Sequence, residues 1–249
     1  MAQEKENQMA ALITGGGTGI GKAVALELAK LGVNVAVNYS RSADEAQATV
    51  KEIESLGASG IAVKADVADD NEVRAMIETV YNHFGRINYL VNSAGTTEYV
   101  TMSDLESLKP EHWSRIMDIN VKGLFAVCRA AVPHLRKTHG SIVNITSVAG
   151  ITGMGSSIAY AASKAAAISV TKSLARVLAP EVRVNSVAPG IVMTRWVEGR
   201  EEHVKKLGEH TPLGRCCNAG DVAAVVVPLL VSAAMMTGQT VVVDGGAFM

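Results

Sequence analysis

A tyrosine and a lysine four residues apart, with a serine upstream, form the most chemically suggestive pattern of the chain. Tyr160 and Lys164 would share one face of a helix, and Ser147 stands thirteen residues before the tyrosine. A free phenol loses its proton at about pH 10, and a nearby ammonium favours the phenolate and lowers that pKa. The serine hydroxyl can donate a hydrogen bond to a substrate oxygen. Together these side chains could move a proton on or off a carbonyl oxygen.

A glycine-rich stretch near the start of the chain is suited to binding phosphate. It lies between a predicted strand, residues 9–13, and a predicted helix, residues 22–31. Glycines let the backbone approach a pyrophosphate closely, and a helix N-terminus offers free N–H groups. The spacing is G-x-x-x-G-x-G rather than the usual G-x-G-x-x-G, so the place between strand and helix carries the argument. The residues expected to bind the phosphates are Gly15, Thr18, Gly19, Ile20 and Gly21.

Apolar strand-like runs alternate with helical patterns along the whole chain. Strands that are apolar almost throughout and separated by helices predict a parallel sheet covered on both faces, which is a doubly wound α/β fold. After residues 9–13, the predicted strands cover residues 33–39, 60–64, 87–92, 141–146, 182–187 and 240–243. After residues 22–31, the predicted helices cover residues 43–56, 69–84, 111–137 and 158–178, and a last one begins near Asn218 with Asp221 as its N3 acid.

Polar and turn residues follow the predicted strands at their carboxyl ends. Thr14, Asn92 and Ser147 lie at or just after strand ends, and Pro189 follows another closely. Ligands of doubly wound folds bind at the carboxyl ends of the strands. The sequence therefore predicts one site at this edge of the sheet.

Taken together, these motifs resemble those of the short-chain dehydrogenase/reductase family. The match covers nearly the whole chain from Ala11 onward and is similar to the 3-oxoacyl-(acyl-carrier-protein) reductase-like branch. The resemblance implies a seven-stranded Rossmann-type sheet and a catalytic set of Asn120, Ser147, Tyr160 and Lys164. It implies further cofactor contacts at Asp66, Val67, Asn92, Ala94, Gly95, Pro189, Gly190, Val192 and Thr194, besides Tyr160 and Lys164.

Asn120 falls inside the predicted helix 111–137. One interpretation is an exposed helical asparagine. The resemblance implies another, in which Asn120 disturbs the helix locally and holds a water that relays protons from Lys164.

The end of the second predicted strand bears on the choice of cofactor. Tyr39, Ser40 and Arg41 stand there, and no acid occupies the strand end, where relatives that prefer NAD usually carry aspartate. An acid would bind the ribose hydroxyls and repel a 2′-phosphate, whereas an arginine accommodates it. Arg41 could instead be a solvated residue ahead of the next helix. We expect NADPH rather than NADH.

The substrate is expected to lie beneath a lid formed by residues 190–217, in which residues 191–215 show no strand in the sequence. With Ser147 and Tyr160, the substrate residues would be Val148, Met154 and Trp196, and Ile151 would add to a mostly apolar pocket.

Two positions bear on whether the substrate is linked to a carrier. Carrier-linked 3-oxoacyl reductases tend to carry basic residues where this chain has Thr138 and Glu181, although Arg136 and Lys137 lie near the first. We therefore expect a small free ketone or aldehyde, with a 3-oxoacyl group on a carrier protein as the alternative.

Composition excludes several classes of protein. The net charge of −1 gives no basic face for nucleic acid or a membrane surface. The 249 residues suit one domain, with 1–8 expected to be disordered and no signal peptide, so the cytoplasm is the default location.

Cys128, Cys216 and Cys217 are expected to be free thiols, with Cys128 in packing and a redox pair at the other two as a minor alternative. The six scattered histidines predict no metal site.

Relatives are commonly homotetramers built through their long helices.

Other classes of function stay open at this point. A dinucleotide sensor on the same fold would not need the catalytic residues, and a lyase or epimerase would turn over without net change in the nicotinamide. Absorbance of the nicotinamide separates these alternatives from a carbonyl reductase.

Overall fold

The computed structural model describes residues 8–248, apart from the side chain of residue 203. The expected disorder of residues 1–8 therefore falls, except for residue 8, outside the described residues. Within the described part, the chain forms one large sheet, a small two-stranded sheet and helices on both faces of the large one.

The large sheet contains seven parallel strands. They are β1 (Ala10–Thr14), β2 (Asn34–Tyr39), β3 (Gly60–Lys64), β4 (Tyr89–Asn92), β5 (Ser141–Ile145), β6 (Arg183–Pro189) and β9 (Thr240–Val243), in the spatial order β3-β2-β1-β4-β5-β6-β9. Strands β1, β2 and β3 follow one another in one direction across the sheet, and strands β4, β5, β6 and β9 follow one another in the opposite direction. This reversal opens a crevice at the carboxyl ends of β1 and β4, where such folds bind ligands.

The helices lie between the strands in the chain. They are α1 (Gly19–Lys30), α2 (Ala43–Ser55), α3 (Asp70–Phe84), α4 (Pro110–Met117), α5 (Leu124–Lys137), α6 (Ala149–Thr152), α7 (Ile158–Leu178), α8 (Glu201–Glu209) and α9 (Ala219–Val231). The predicted start of the last helix is confirmed, because Asn218 caps α9 and forms a capping box with Asp221.

Two hydrophobic layers hold the helices against the sheet. Successive residues of a strand point to opposite faces, so in β1 Ile13 packs into the layer that contains α1, α2 and α9, whereas Leu12 packs into the layer of α3, α5 and α7. Both side chains are fully buried. Burying such a side chain contributes about 1.5–3 kcal/mol, and the near absence of polar residues in β1 follows from burial on both faces.

Two predicted segments differ from the structure. The single helix expected over residues 111–137 is divided into α4, a π-helical turn (Asp118–Gly123) and α5. The stretch 191–215, expected to lack a strand, contains β7 (Val192–Met193), which pairs in parallel with β8 (Cys217–Asn218), and also a short 3-10 turn (Arg195–Val197) and α8. A two-residue strand leaves no detectable alternation in the sequence, which explains why it was missed.

Candidate active site

Loops at the carboxyl ends of the central strands surround a cavity of about 1430 Å3. The Thr14 hydroxyl at the end of β1 accepts hydrogen bonds from the backbone N–H groups of Ser93 and Ala94, both at 3.1 Å. The backbone N–H of Val148 donates to the carbonyl oxygen of Pro189 at 3.0 Å. These bonds tie β1 to the loop after β4, and the loop after β5 to β6, so the strand ends form one wall.

Tyr160 and Lys164 lie one turn apart near the start of α7. The helix begins after its N-cap residue Ser157, whose hydroxyl accepts a hydrogen bond from the Tyr160 N–H at 3.3 Å. The Lys164 Nζ lies 5.6 Å from the centroid of the Tyr160 ring and donates to the Ile145 carbonyl oxygen at 2.9 Å. Ser147 follows β5 and lines the cavity beside Tyr160, where its hydroxyl favours the phenolate. The three predicted side chains are thus adjacent.

The pKa of Tyr160 differs in direction from the expectation based on spacing. Burial raises the pKa of Tyr160 to about 12, and the hydrogen bond from Ser147 opposes this rise only in part. Burial also lowers the pKa of Lys164 to about 8. The expected lowering of the phenol pKa by Lys164 is therefore wrong for the protein alone, because removal of the phenolate from water outweighs the neighbouring groups. At neutral pH the phenol is protonated and can act as an acid.

Asn120 lies in the π-helical turn and is only 2% exposed. Its side chain accepts a hydrogen bond from the Thr96 N–H at 2.8 Å and donates to the Thr96 carbonyl oxygen at 2.9 Å. It also donates to the Ser163 hydroxyl at 3.0 Å. The local distortion of the helix that the resemblance implies is present, and the side chain joins the loop after β4 to α7. The proton relay through a water stays a prediction.

The glycine loop is shaped by close contacts that exclude side chains. A Cβ on Gly21 would lie 2.4 Å from the Gly15 carbonyl oxygen, and a Cβ on Gly15 would lie 3.1 Å from the Ala94 backbone. Gly15 and Gly19 have positive φ values of 62° and 53°, a conformation that favours glycine. The loop ends where α1 begins, so its N–H groups face the cavity edge. This cradle fits the pyrophosphate of a dinucleotide.

The cavity continues along the ends of β2 and β3. Tyr39, Ser40 and Arg41 line it, together with Asp66 and Val67. The Ala68 N–H donates to an Asp66 carboxylate oxygen at 2.9 Å, which fixes the turn after β3. Among the described residues, the ion pairs do not include Arg41. A guanidinium without a carboxylate partner therefore faces this end of the cavity.

Gly21, Asn92 and Asn120 do not line the cavity, nor does Ile151, whereas the other predicted site residues line it. Gly21 packs within the turn, and Asn120 is bonded as described above. The Asn92 Nδ2 donates to the Asn144 side-chain oxygen at 2.9 Å and to the Cys128 sulfur at 3.2 Å, and the expected cofactor contact at Asn92 stays a prediction. Asn92 is buried between two strands, so its side-chain amide bonds to neighbouring core residues and does not line the cavity. The predicted residues that line the cavity are Gly15, Thr18, Gly19, Ile20, Tyr39, Ser40, Arg41, Asp66, Val67, Ala94, Gly95, Ser147, Val148, Met154, Tyr160, Lys164, Pro189, Gly190, Val192, Thr194 and Trp196.

The far end of the cavity is bounded by aromatic side chains. The ring centroids of Tyr160 and Trp196 are 5.8 Å apart, and the Tyr99 hydroxyl donates to the Trp196 carbonyl oxygen at 2.5 Å. Val148 and Met154 add apolar surface, whereas Ile151, also expected there, does not line the cavity. The half-buried Tyr160 side chain thus borders a mainly apolar compartment.

Arg195 joins the segment 190–217 to the glycine loop. Its guanidinium donates to the Glu45 carboxylate at 2.9 Å, to the Thr18 hydroxyl at 3.0 Å and to the Ser42 hydroxyl at 3.4 Å. A Cβ on Gly19 would lie 3.3 Å from the Thr194 side chain. The segment therefore lies directly on the pyrophosphate cradle.

Comparisons with known proteins agree with this geometry. A family model described as enoyl-(acyl carrier protein) reductase matches residues 15–247. The 3-oxoacyl-(acyl-carrier-protein) reductase FabG of Staphylococcus aureus is 40% identical over 243 residues, which cover 96% of this chain and 98% of the relative. A 3-oxoacyl-(acyl-carrier-protein) reductase of Synechocystis sp. is 42% identical over 244 residues, 96% of each chain. A solved short-chain type dehydrogenase/reductase from Mycobacterium ulcerans has a TM-score of 0.88 and 31% identity, over 96% of this chain and 89% of that one.

The chain belongs to the short-chain dehydrogenase/reductase family. It is accordingly an NAD(P)-dependent oxidoreductase. When bound, the nicotinamide cofactor supplies or accepts the hydride, and the cradle of Gly15, Gly19 and Gly21 is the part of this reductase that fits its pyrophosphate.

Sequence reasoning missed several residues of this short-chain dehydrogenase/reductase. Tyr99, Arg115 and Arg200 line the far end of the cavity, and Lys64 lines the end near Arg41. None belongs to a motif, because each reaches the cavity through contacts between distant parts of the chain. The one signal in the sequence was a basic residue near the carboxyl end of a predicted strand: Lys64 ends the third strand, and Arg41 follows the second.

The thiols of this reductase are free and not activated. Cys128 is fully buried, as expected for packing, and burial raises its pKa to about 12. Burial also raises the pKa of Cys216 and of Cys217. In the part of the chain that the structure describes, no group of His, Cys, Asp or Glu side chains could hold a metal ion. None of the helices described there is long and apolar enough to cross a membrane.

Proposed function

We propose that the protein uses NADPH to reduce a ketone or aldehyde to an alcohol, reversibly, and that Tyr160 is the acid. The observation that carries this proposal is the grouping of Ser147, Tyr160 and Lys164 at the wall of the cavity whose other end is the glycine cradle. A carbonyl oxygen placed between the two hydroxyls would receive one hydrogen bond and one proton. Hydride addition to the carbonyl carbon and protonation of its oxygen together give the alcohol.

Each residue of the set has a distinct part in this proposal. Ser147 donates a hydrogen bond that orients the carbonyl oxygen, and Tyr160 gives its proton to that oxygen. Lys164 is held by the Ile145 carbonyl beneath the phenol, where its charge favours renewed loss of a proton in the reverse direction. Asn120 positions the loop after β4 against α7, and its share in returning a proton from solvent is part of the proposal.

The preference for NADPH is supported by the charges at the end of β2. Arg41 and Lys64 line this end of the cavity, and Tyr39 replaces the acid that would repel a 2′-phosphate. Replacing Arg41 by Ala should raise the KM for NADPH at least tenfold and leave the KM for NADH within about twofold, because a charged hydrogen bond contributes about 1.5–3 kcal/mol. An equal effect on both cofactors would contradict the assignment of Arg41.

Two substrate classes are supported by different observations. Relatives named as 3-oxoacyl-(acyl-carrier-protein) reductases favour a 3-oxoacyl thioester as the first candidate. Thr138 and Glu181 favour a small free carbonyl compound as the second, because they offer no cation to an acidic carrier at the two positions where such enzymes are basic. The two classes are separated by comparing kcat/KM for a 3-oxoacyl carrier protein, a 3-oxoacyl pantetheine and a panel of free ketones and aldehydes.

The test of the whole proposal is Tyr160→Phe, which keeps the ring and removes the acid. General acid catalysis contributes about 10²–10⁴-fold, so kcat should fall by at least that factor while the Kd for NADPH, measured by fluorescence, changes little. Reduction consumes a proton and should be favoured as the pH falls. Near-normal turnover of Tyr160→Phe would exclude the acid. Binding of NADPH without its oxidation by any carbonyl compound would favour a sensor, and turnover without an absorbance change would favour a lyase.

Three further expectations belong to the same proposal. The chain would act as a single domain over residues 1–249, with 190–217 as the lid over the substrate. It would work in the cytoplasm as a homotetramer. Light scattering of the purified protein measures the assembly, and a monomer active at full rate would contradict it.

A further inference from the structure

Cations line both ends of the cavity, and three of them, Arg195, Arg115 and Lys164, are neutralised or buried. Arg195 pairs with Glu45 at 2.9 Å, and Arg115 pairs with Glu98 at 2.6 Å. Lys164 is buried beneath Tyr160. At the end near the glycine loop, Arg41 and Lys64 form no ion pair within the described residues, and Arg41 is proposed to bind the cofactor phosphate. At the opposite end, Arg200 lines the cavity, and the ion pairs formed within the described residues do not include it.

Arg200 is held in place by an aromatic contact. Its guanidinium carbon lies 4.5 Å from the centroid of the Tyr99 ring. Tyr99 is in turn fixed by its hydrogen bond to the Trp196 carbonyl oxygen, and the Trp196 ring packs against Tyr160. One continuous wall therefore runs from the proposed acid to the guanidinium. A stacked guanidinium keeps the N–H donors at its edge available for a further partner.

We propose that Arg200 binds an anionic group, a carboxylate or a phosphate, on the part of the substrate remote from the carbonyl. The inference rests on the proposed function, because it assumes that the carbonyl binds at Tyr160. A cation at the mouth of a largely apolar compartment, without a carboxylate partner of its own, gains most from an anion delivered by the ligand. The guanidinium geometry suits the paired oxygens of either anion. A phosphopantetheine arm and a free oxo acid would both supply this chemistry.

The test compares charged and neutral forms of the same ketone. One arm uses methyl ketones ending in a carboxylate, from 4-oxopentanoate to 8-oxononanoate, each with its methyl ester. The other uses 3-oxobutyryl thioesters of 4′-phosphopantetheine and of pantetheine. In the unsubstituted protein, kcat/KM should be higher for the anionic member of at least one pair. The arm in which this occurs identifies the source of the anion.

Substitution of Arg200 decides whether this residue reads the charge. In Arg200→Gln, the ratio of kcat/KM between the anionic and the neutral member should fall about 10- to 100-fold, as expected for loss of a charged hydrogen bond. Arg200→Lys keeps the charge and should retain most of the ratio. The matched control is Arg176→Gln, an exposed arginine on α7 that does not line the cavity. Its ratio should stay within about twofold of the original value.

A binding measurement separates this inference from the proposed function. Calorimetric titration of each ketone into the protein with NADP⁺ allows no hydride transfer, so it reads recognition alone. Tighter binding of the anionic form, lost in Arg200→Gln, supports the inference even if no turnover is found, in which case only the proposed reaction fails. Equal binding of both forms by the unsubstituted protein, or an unchanged preference in Arg200→Gln, would overturn the inference whatever the turnover.

Discussion

The ammonium of Lys164 is the most costly charged group of the site. Its side chain is only 6% exposed, and its hydrogen bond within the described residues goes to the neutral carbonyl of Ile145. Burial accordingly lowers its pKa from 10.5 to about 8. A charge that is removed from water without a carboxylate partner destabilises the folded protein. We therefore predict that Lys164→Met makes the protein without cofactor more stable at neutral pH, although it removes a catalytic residue.

The magnitude follows from the shift in pKa. Because each unit corresponds to about 1.4 kcal/mol, the lowered pKa represents roughly 3 kcal/mol of lost stability at pH values where the ammonium is charged in both states. Loss of the hydrogen bond to the Ile145 carbonyl costs the variant about 1 kcal/mol, which offsets part of this gain. The expected gain for Lys164→Met is therefore about 1–3 kcal/mol at pH 7.

The sign of the pH dependence is fixed by the direction of the shift. Between about pH 8 and 10.5, the unfolded protein binds the proton of Lys164 and the folded protein does not. Stability of the unsubstituted protein therefore rises with pH across this window, and below it the cost is constant. The advantage of Lys164→Met should be full at pH 7 and should shrink as the pH approaches 10.5.

The assay is urea unfolding followed by circular dichroism, without cofactor, at pH 7 and at about pH 10.5. Lys172→Met is the matched control, because Lys172 is exposed on the same helix, and it should change stability by less than about 0.5 kcal/mol. A Lys164→Met protein less stable than the unsubstituted one at pH 7 would refute the reasoning. It would mean that the ammonium has partners strong enough to offset its burial.

Three other changes test the elements around the site. Thr171→Val removes the acceptor of the Asn144 amide, 2.9 Å away in the core, and should cost about 1–3 kcal/mol in urea unfolding. Thr171 and Thr79 both donate to the helix carbonyl four residues before them, but Thr79 is exposed and accepts no such core amide among the described residues, so Thr79→Val should cost under about 0.5 kcal/mol; equal losses would contradict the role of burial. Arg195→Gln frees the segment 190–217 from the glycine loop, so stopped-flow fluorescence should show NADPH leaving severalfold faster, and an unchanged rate would exclude the contact as a restraint. Gly21→Ala places a Cβ 2.4 Å from the Gly15 carbonyl and should weaken NADPH binding in a fluorescence titration at least tenfold, whereas an unchanged Kd would show that the turn can yield.

The sheet could be predicted from the sequence because strands that are buried on both faces require a recognisable pattern of apolar residues. Strands such as β1 and β5 are buried at every position, which forces runs of apolar residues separated by amphipathic helices. The predicted site followed from the same record, since strand ends and motif spacing place Ser147, Tyr160 and the glycine loop at one edge. Such features depend on residues close together in the chain.

The features that were missed depend on distant parts of the chain. Arg195 contacts Thr18 and Glu45 across more than a hundred residues, and no periodicity announces such a pair. The π-helical turn has residues compatible with a continuous helix, and its distortion accompanies the hydrogen bonds of Asn120 with Thr96. The direction of the Tyr160 pKa depends on its burial, which the spacing of Tyr160 and Lys164 does not reveal.

Buried polar contacts on α7 explain how the fold tolerates the charge of Lys164. Upstream in the chain, Ser163 is bonded to Asn120, and downstream Thr171 is bonded to Asn144 of β5. Asn144 also accepts from Asn92 of β4, so the helix is tied to two strands and to the π-helical turn. The side-chain donors of these residues are paired, although the Asn92 Oδ1 has no hydrogen-bond partner among the described residues, and a shift of the helix would leave those donors unpaired. The helix therefore cannot move outward to hydrate the ammonium. The charge of Lys164 stays buried beneath the phenol, and the folded protein keeps the loss of stability that this burial causes.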